Sequence, residues 1–372
     1  MRIAIDARLN AYRVGGIPQY TRRLAEAMAS VGREHRLITL QHREQRMPLV
    51  HAANVSRMTL MTPPHHRWEA LALPVELVRA RADVIHFPDF IAPPFCPARA
   101  VVTIHDLAFI HFPEILDNEA KAYYGQVRVS AERAAAVIAV SESTRRDIVE
   151  HLGIPAEQID VIYEAVAPDF GPAVVALGEA RDAGEARVVA GTFMLFVSTI
   201  EPRKNLPTLL KALKICIDRN PRRDYRLIVA GTKGWRDQAI YATLQDLQLG
   251  DAVSFTGKIS DDELRWLYTA CRLYANPSLY EGFGLPLLEA MACGAACLAS
   301  NSSCFPEIGG SAAEYLPPTD VEAWADAIER LWDDEQRRAE LGRLGIARAS
   351  QFSWIRAARE TLAVYQRVVA GA

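Results

Sequence analysis

An α/β fold with two parallel-sheet domains is predicted by three features of this 372-residue sequence. Short apolar runs of strand length alternate with amphipathic helical stretches, the rhythm of parallel strands joined by crossover helices. That rhythm runs through twice. Between the two passes lies Pro168 to Gly191, rich in Ala, Gly and polar residues, with the composition of a connecting stretch. The length also suits two domains better than one. The expected division is residues 1–185, residues 186–350 and a terminal helix over residues 351–372.

The elements follow in order. Arg2 to Asp6 reads as a first strand and not as a secretory leader. The turn Gly15-Gly16-Ile17-Pro18-Gln19-Tyr20-Thr21 leads into a helix carrying Leu24, Ala27 and Met28. His35 to Thr62 is less regular, with a strand at Leu37 to Leu40. Further strands are expected at Ala82 to His86, Val101 to Ile104 and Ala136 to Val140, with a helix over residues 120–133. Ser141 is a good N-cap for the helix through Asp147. Val161-Ile162-Tyr163 closes the first sheet. The second pass places strands at Phe193 to Ser198, Arg226 to Ala230, Ala252 to Phe255, Leu273 to Ala275 and Ala296 to Ala299. Helices follow over residues 321–331 and 334–349. The last amphipathic helix repeats apolar residues through Ala357, Leu362, Tyr365 and Val369.

Composition narrows the function. Half of the residues are apolar and 23% are charged, a globular balance. A net charge of −3 offers no electrostatic case for nucleic acid. No apolar run approaches the roughly 20 residues that span a bilayer. The six cysteines show neither a CxxC pair nor zinc spacing. They read as buried thiols of a cytoplasmic protein.

Chemistry concentrates in Pro277-Ser278-Leu279-Tyr280-Glu281-Gly282-Phe283-Gly284-Leu285-Pro286-Leu287-Leu288-Glu289-Ala290-Met291. It follows a strand end and opens a helix. Gly282 and Gly284 free the turn for unusual φ and close backbone approach. Pro286 suits the first helical turn. The helix start, with its unsatisfied N–H groups, is a natural seat for phosphate. Glu281 and Glu289 frame it with acceptors suited to sugar hydroxyls; a strand–turn–helix with two surface glutamates is the plain alternative. Arg203 and Lys204 also lie between a strand and a helix, where adjacent cations can hold a pyrophosphate. His105 and Asp106 end a buried strand, a position for ligand-facing groups; a satisfied core histidine is the alternative. Gly15-Gly16 is a second candidate nest for phosphate or sugar, against a simple tight turn. Asp261-Asp262 and Asp333-Asp334 read as helix caps, so no metal is assigned.

The stretch from Pro277 through Gly294, with seven residues between Glu281 and Glu289, resembles the signature of family 4 glycosyltransferases. Gly15 to Tyr20, His105-Asp106 and Glu201-Pro202-Arg203-Lys204-Asn205 resemble the same family, so the likeness spans both expected domains. The resemblance implies the GT-B architecture: two Rossmann-like domains facing a cleft, with the last helix crossing back to the first domain. It implies retaining transfer of a hexose from a nucleotide sugar without a metal or other cofactor. Glu281 would then touch the transferred sugar and Glu289 the ribose. Gly282, Phe283, Gly284 and Leu285 would present N–H groups to the diphosphate that Arg203 and Lys204 also hold. Gly257-Lys258-Ile259 lies where the family holds the base, a placement to set against an ordinary loop. His105-Asp106 would contact the donor sugar, and Gly15-Gly16 would lie near diphosphate and acceptor.

Overall similarity points to mannosyl- or rhamnosyl-transferring members that build bacterial surface polysaccharide. GDP-mannose is the first donor expected, and a glycan or lipid-linked saccharide the acceptor. A sugar-nucleotide epimerase of similar architecture and a non-catalytic sugar-nucleotide-binding subunit are the alternatives. Arg33, Arg36, Arg43 and Arg46, with Trp68, are a candidate peripheral contact with an anionic membrane, against a solvated arginine-rich face. Two departures stand out. Glu164-Ala165-Val166 occurs where many members have Asn-Gly-Val, which makes a left-handed turn there less expected. Ala296 stands where proline is usual.

Overall fold

The computed structural model describes residues 1–66, 68–115, 118–232, 234 and 238–371. Among these, two parallel sheets organise the chain. The first holds β1 (Arg2–Asp6), β2 (Arg36–His42), β3 (Val55–Leu60), β4 (Val84–Phe87), β5 (Arg99–Ile104), β6 (Ala136–Ala139) and β7 (Ile159–Val161), in the order β3-β2-β1-β4-β5-β6-β7. An antiparallel hairpin of β8 (Ala180–Ala183) and β9 (Ala186–Val189) comes next. The second sheet holds β10 (Met194–Val197), β11 (Leu227–Ala230), β12 (Val253–Gly257), β13 (Leu273–Asn276), β14 (Cys297–Ser300) and β15 (Ala313–Leu316), in the order β12-β11-β10-β13-β14-β15. The chain divides into two units, Met1–Glu164 with Ser353–Ala372, and Ala165–Phe352.

Both sheets wind the same way. The chain builds outward from its first strand, then returns to that strand's other side. The order therefore reverses between β1 and β4 in one unit and between β10 and β13 in the other. Such a switch point leaves a gap at the carboxyl ends of the two flanking strands, where doubly wound sheets bind ligands. β4, β6, β11, β13 and β14 are buried at every residue, as befits parallel strands covered on both faces.

The helix Trp354–Ala370 belongs to the first unit. It buries Trp354, Ala357, Leu362 and Tyr365, one face of its period. The Tyr365 hydroxyl is hydrogen-bonded to His86 Nδ1 at 2.6 Å. His86 Nε2 is bonded in turn to Thr103 Oγ1 at 2.7 Å, and Thr103 to the Tyr20 hydroxyl at 3.2 Å. A buried polar chain thus ties the helices Gly16–Val31 and Trp354–Ala370 to β4 and β5. Burial, with a smaller contribution from nearby His105, pushes His86 down to about 3, so the ring is neutral.

Several sequence expectations need correction. β3 lies in the stretch read as irregular, because Ser56, Arg57 and Thr59 interrupt its apolar pattern. β15 was not expected either, and only its first residue is fully buried. Both are edge strands, which need no continuous apolar run because one flank faces no neighbour. β7 lies two residues earlier than expected. The helix expected over residues 120–133 is broken at Gly125 into Asn118–Tyr124 and Val127–Arg133. The connecting stretch contains the β8–β9 hairpin, whose turn is tied to β12: the Glu185 N–H donates to Thr256 O at 3.0 Å.

The neutral His86 links stability to pH. Its folded value lies below the ordinary 6.5, so the unfolded chain binds the extra proton first as pH falls. The group's stabilising share is complete above about 6.5 and is lost toward about 3, at up to about 1.4 kcal/mol per pH unit. Urea unfolding should show a smaller loss between neutral and acid pH for His86→Gln than for the unsubstituted chain.

Candidate active site

The switch point of the second sheet carries an ion-pair cluster. From the carboxyl end of β10 the chain passes Glu201 into a 3₁₀ turn over Pro202–Lys204. Asn205 follows in the left-handed conformation (φ 57°), a state its short polar side chain tolerates. Its Nδ2 donates to Pro277 O at 3.0 Å and Pro318 O at 2.6 Å, joining the turn to the loop after β13. The Leu279 N–H donates to Arg203 O at 2.8 Å, a second tie between the loops. Glu281 then comes from β13's side. Its Oε1 accepts from Lys204 Nζ at 2.5 Å and from Ser278 Oγ at 2.9 Å. Its Oε2 accepts from Arg203 Nη1 at 3.3 Å. Arg203 Nε also pairs with Glu201 at 2.6 Å, and Nη1 donates to Tyr280 O at 3.1 Å.

Lys204 is 8% exposed and Glu281 7%, so the pair is largely out of water. Burial raises the Glu281 carboxyl, but Lys204 and then Arg203 more than offset it and hold the group below the ordinary range. The sequence placed Arg203 and Lys204 as cations for a pyrophosphate. In the structure they already face two carboxylates, Glu201 and Glu281, so the cluster is close to neutral. Positive potential for an anion then rests more on the adjacent helix start.

That helix runs from Leu285 to Ala292 with Pro286 in its first turn. Gly284 is its N-cap in the left-handed conformation (φ 81°), and a Cβ there would lie 2.8 Å from the Phe305 ring. Gly282, expected to share that freedom, is not among the described residues with positive φ. The Glu281 N–H is held by Ser303 Oγ at 2.9 Å. Phe283 is buried edge to face with Phe352, their centroids 5.9 Å apart. Glu289 lies further along the helix, partly buried, and accepts from the Tyr268 hydroxyl at 3.0 Å. Burial raises its carboxyl to about 7, against the lowering effect of that hydrogen bond.

The first unit holds the remaining candidates. Gly15 caps the helix Gly16–Val31 (φ 91°), Gly16 is also left-handed (φ 41°), and neither has another group within 4 Å of a built Cβ. His105 follows β5. Its Nδ1 faces Glu164 Oε1 at 2.9 Å and its Nε2 faces Pro88 O at 3.0 Å. Both ring nitrogens therefore face oxygen atoms, to which an imidazole N–H can donate. Burial pushes His105 down, but hydrogen bonding to Glu164 and its charge, then Asp106 and Asp89, raise it above the ordinary value. Glu164, 4% exposed, therefore takes a specific partner where its departure from the family pattern left a question. Asp106 Oδ1 accepts from the Ala108 N–H at 3.0 Å, at the start of the next short helix.

Arg203, Lys204 and Glu281 are thus in direct contact. Glu289 sits on the same helix–turn unit but bonds to Tyr268. Lys258 is exposed beyond β12, and among the described residues no hydrogen bond or ion pair joins it to the cluster. Sequence reasoning missed the roles of Ser278, Glu201 and Asn205, although each lies within a quoted motif, and of Ser303, which lies outside them. Tyr268 carried no local signal, because its partner lies 21 residues on.

Comparison with known proteins gives the family. Residues 183–348 match the model described as glycosyl transferases group 1, and residues 14–170 match glycosyltransferase family 4. The chain is 32% identical over 312 residues to an O-antigen chain mannosyltransferase B of Escherichia coli, covering 81% of this chain and 78% of that one. Its fold matches sucrose-phosphate synthase from Thermosynechococcus elongatus with a TM-score of 0.78 at 22% identity, over 100% of this chain and 99% of that one. Anabaena HepE in complex with UDP and glucose matches with a TM-score of 0.71 at 20% identity, over 99% and 100%. The fold is that of GT-B glycosyltransferases. With both units matched and a relative aligned along most of its length, this chain belongs to the family 4, group 1 glycosyltransferases.

Proposed function

We propose that this glycosyltransferase moves mannose from GDP-mannose, with retention of configuration, to a hydroxyl of a growing surface glycan or lipid-linked saccharide. The carrying observation is the Arg203–Lys204–Glu281 cluster at the switch point, beside the helix start at Leu285. A departing nucleoside diphosphate gains negative charge as the glycosidic bond to phosphate breaks. Fixed cations and backbone N–H groups stabilise that charge, and their gain is largest where water is excluded. These groups do so without a metal. Glu281, fixed by both cations, is placed to accept from hydroxyls of the transferred sugar, and Glu289 from those of the ribose. His105 has both ring nitrogens engaged, one facing Glu164 and the other Pro88 O, and is not assigned as the base. The acceptor's proton then passes to the departing phosphate oxygen. The O-antigen mannosyltransferase relative supports mannose and a surface-glycan acceptor.

Calorimetry against GDP-, UDP-, ADP- and dTDP-sugars tests the reading. GDP-mannose should give the strongest response, and silence from all of them would overturn it. Lys204→Ala should weaken nucleoside diphosphate binding by roughly ten- to hundredfold, the worth of a charge-assisted hydrogen bond. Unchanged affinity in a variant that still melts cooperatively would remove Lys204 from the site.

Glu289 gives a pH signature. Its folded value of about 7 exceeds the ordinary 4.5, so its own share of stability is complete in acid and declines as pH rises toward 7. A ribose that donates hydroxyls to Glu289 favours the ionised form. Donor affinity should therefore increase from pH 6 to about 8, and Glu289→Gln should flatten the profile. An unchanged profile in the variant would take Glu289 out of ribose contact.

Peripheral membrane contact is part of the proposal. Among the described residues no helix is long and apolar enough to cross a membrane. Trp68, Leu71, Val75 and Val78 recur at helical spacing and are 54–72% exposed. Arg33, Arg36, Arg43 and Arg46 are exposed on the same unit. Sedimentation with anionic vesicles should fall on Leu71→Glu with Val75→Glu, and equal sedimentation would remove this face.

A further inference from the structure

Three side chains on the first unit converge without any part in the proposed transfer. His111 ends the short helix Ala108–His111, and Asp147 ends the helix Glu142–Asp147. His151 stands in the π-helical turn Ile148–Leu152 that continues the second helix. His111 Nε2 lies 3.5 Å from Asp147 Oδ2. The two imidazoles meet edge to face with centroids 4.9 Å apart. One ligand atom from each of the three residues lies within 4.8 Å of the other two.

We infer that His111, Asp147 and His151 form a binding site for a divalent ion of the zinc class. A tetrahedral ion with bonds of about 2.0–2.1 Å holds its ligand atoms about 3.4 Å apart. The His111–Asp147 spacing already fits, and side-chain rotation closes the rest. Asp147 and His151 are four residues apart on one helical stretch, so they share a face. His111 reaches them from a separate element. A simple surface ion pair accounts for His111 and Asp147, but it gives no reason for a second imidazole at the same point. Two imidazoles and one carboxylate select zinc and its neighbours over magnesium or calcium, which prefer all-oxygen shells. Both histidines are exposed, which leaves room for water as a fourth ligand.

The position gives the ion a structural role. The Ala108 N–H at the start of the helix Ala108–His111 donates to Asp106 Oδ1 at 3.0 Å, and Thr144 Oγ1 of the second helix donates to His105 O at 3.2 Å. Both elements that supply ligands are thus anchored on the His105–Asp106 turn. A bound ion would clamp them together and stiffen the segment that carries those two residues.

The site lies outside the Arg203–Lys204–Glu281 cluster, and its test does not depend on the donor. The full chain, dialysed against chelator, is titrated with zinc chloride by calorimetry and melted with and without the ion. One equivalent should bind at micromolar affinity or tighter, with a higher melting midpoint. His151→Ala and His111→Asn should each weaken binding at least about tenfold, or about 1.4 kcal/mol. Magnesium chloride should not bind there. No saturable zinc binding below about 100 µM, or equal affinity in both variants, would overturn the assignment; the second result would place the ion elsewhere, for example on the cysteines.

Discussion

A carboxylate out of water needs nearby positive charge, and that requirement shapes the second unit. Glu281 is buried with Lys204, Arg203 and the Ser278 hydroxyl around it. Removing either partner of such a pair costs several kcal/mol, because the charge left behind has lost its hydration. The pair therefore locks the loop after β10 to the loop after β13. Those two loops bound the switch point, and the pair fixes their relation at the end of the sheet. The Asn205 and Leu279 hydrogen bonds act in the same direction with neutral groups.

The same physics recurs in the first unit around a buried histidine. His105 is raised above its ordinary value, against burial, because Glu164 lies beside it. His86, nearby in the fold, is shifted the opposite way: its partners are hydroxyls, no carboxylate compensates for burial, and it stays neutral. Two nearby histidines are thus shifted in opposite directions, one by its carboxylate partner and the other by burial without one. In both units the chemically distinctive groups sit at the carboxyl ends of parallel strands, where the chain leaves the sheet and side chains are not consumed by packing.

Part of this was legible in the primary structure. Inner strands such as β10, β11 and β13 showed themselves because burial on both faces demands an uninterrupted apolar run. The motif around Glu281, the Arg203-Lys204 pair and His105-Asp106 were identifiable because each lies where a strand pattern gives way to a helix. Edge strands β3 and β15 escaped because half-exposed segments need no such run.

The sequence by itself determined the α/β alternation, the doubled rhythm and the residue types available for chemistry, since these follow from local patterning and burial. Only the tertiary structure decided which charges meet. Lys204 and Glu281 are 77 residues apart, His105 and Glu164 are 59 apart, and Tyr365 reaches His86 across 279. Nothing in local periodicity encodes such separations; strand order brings the groups together, and the cost of burying each charge or polar group then selects its partner.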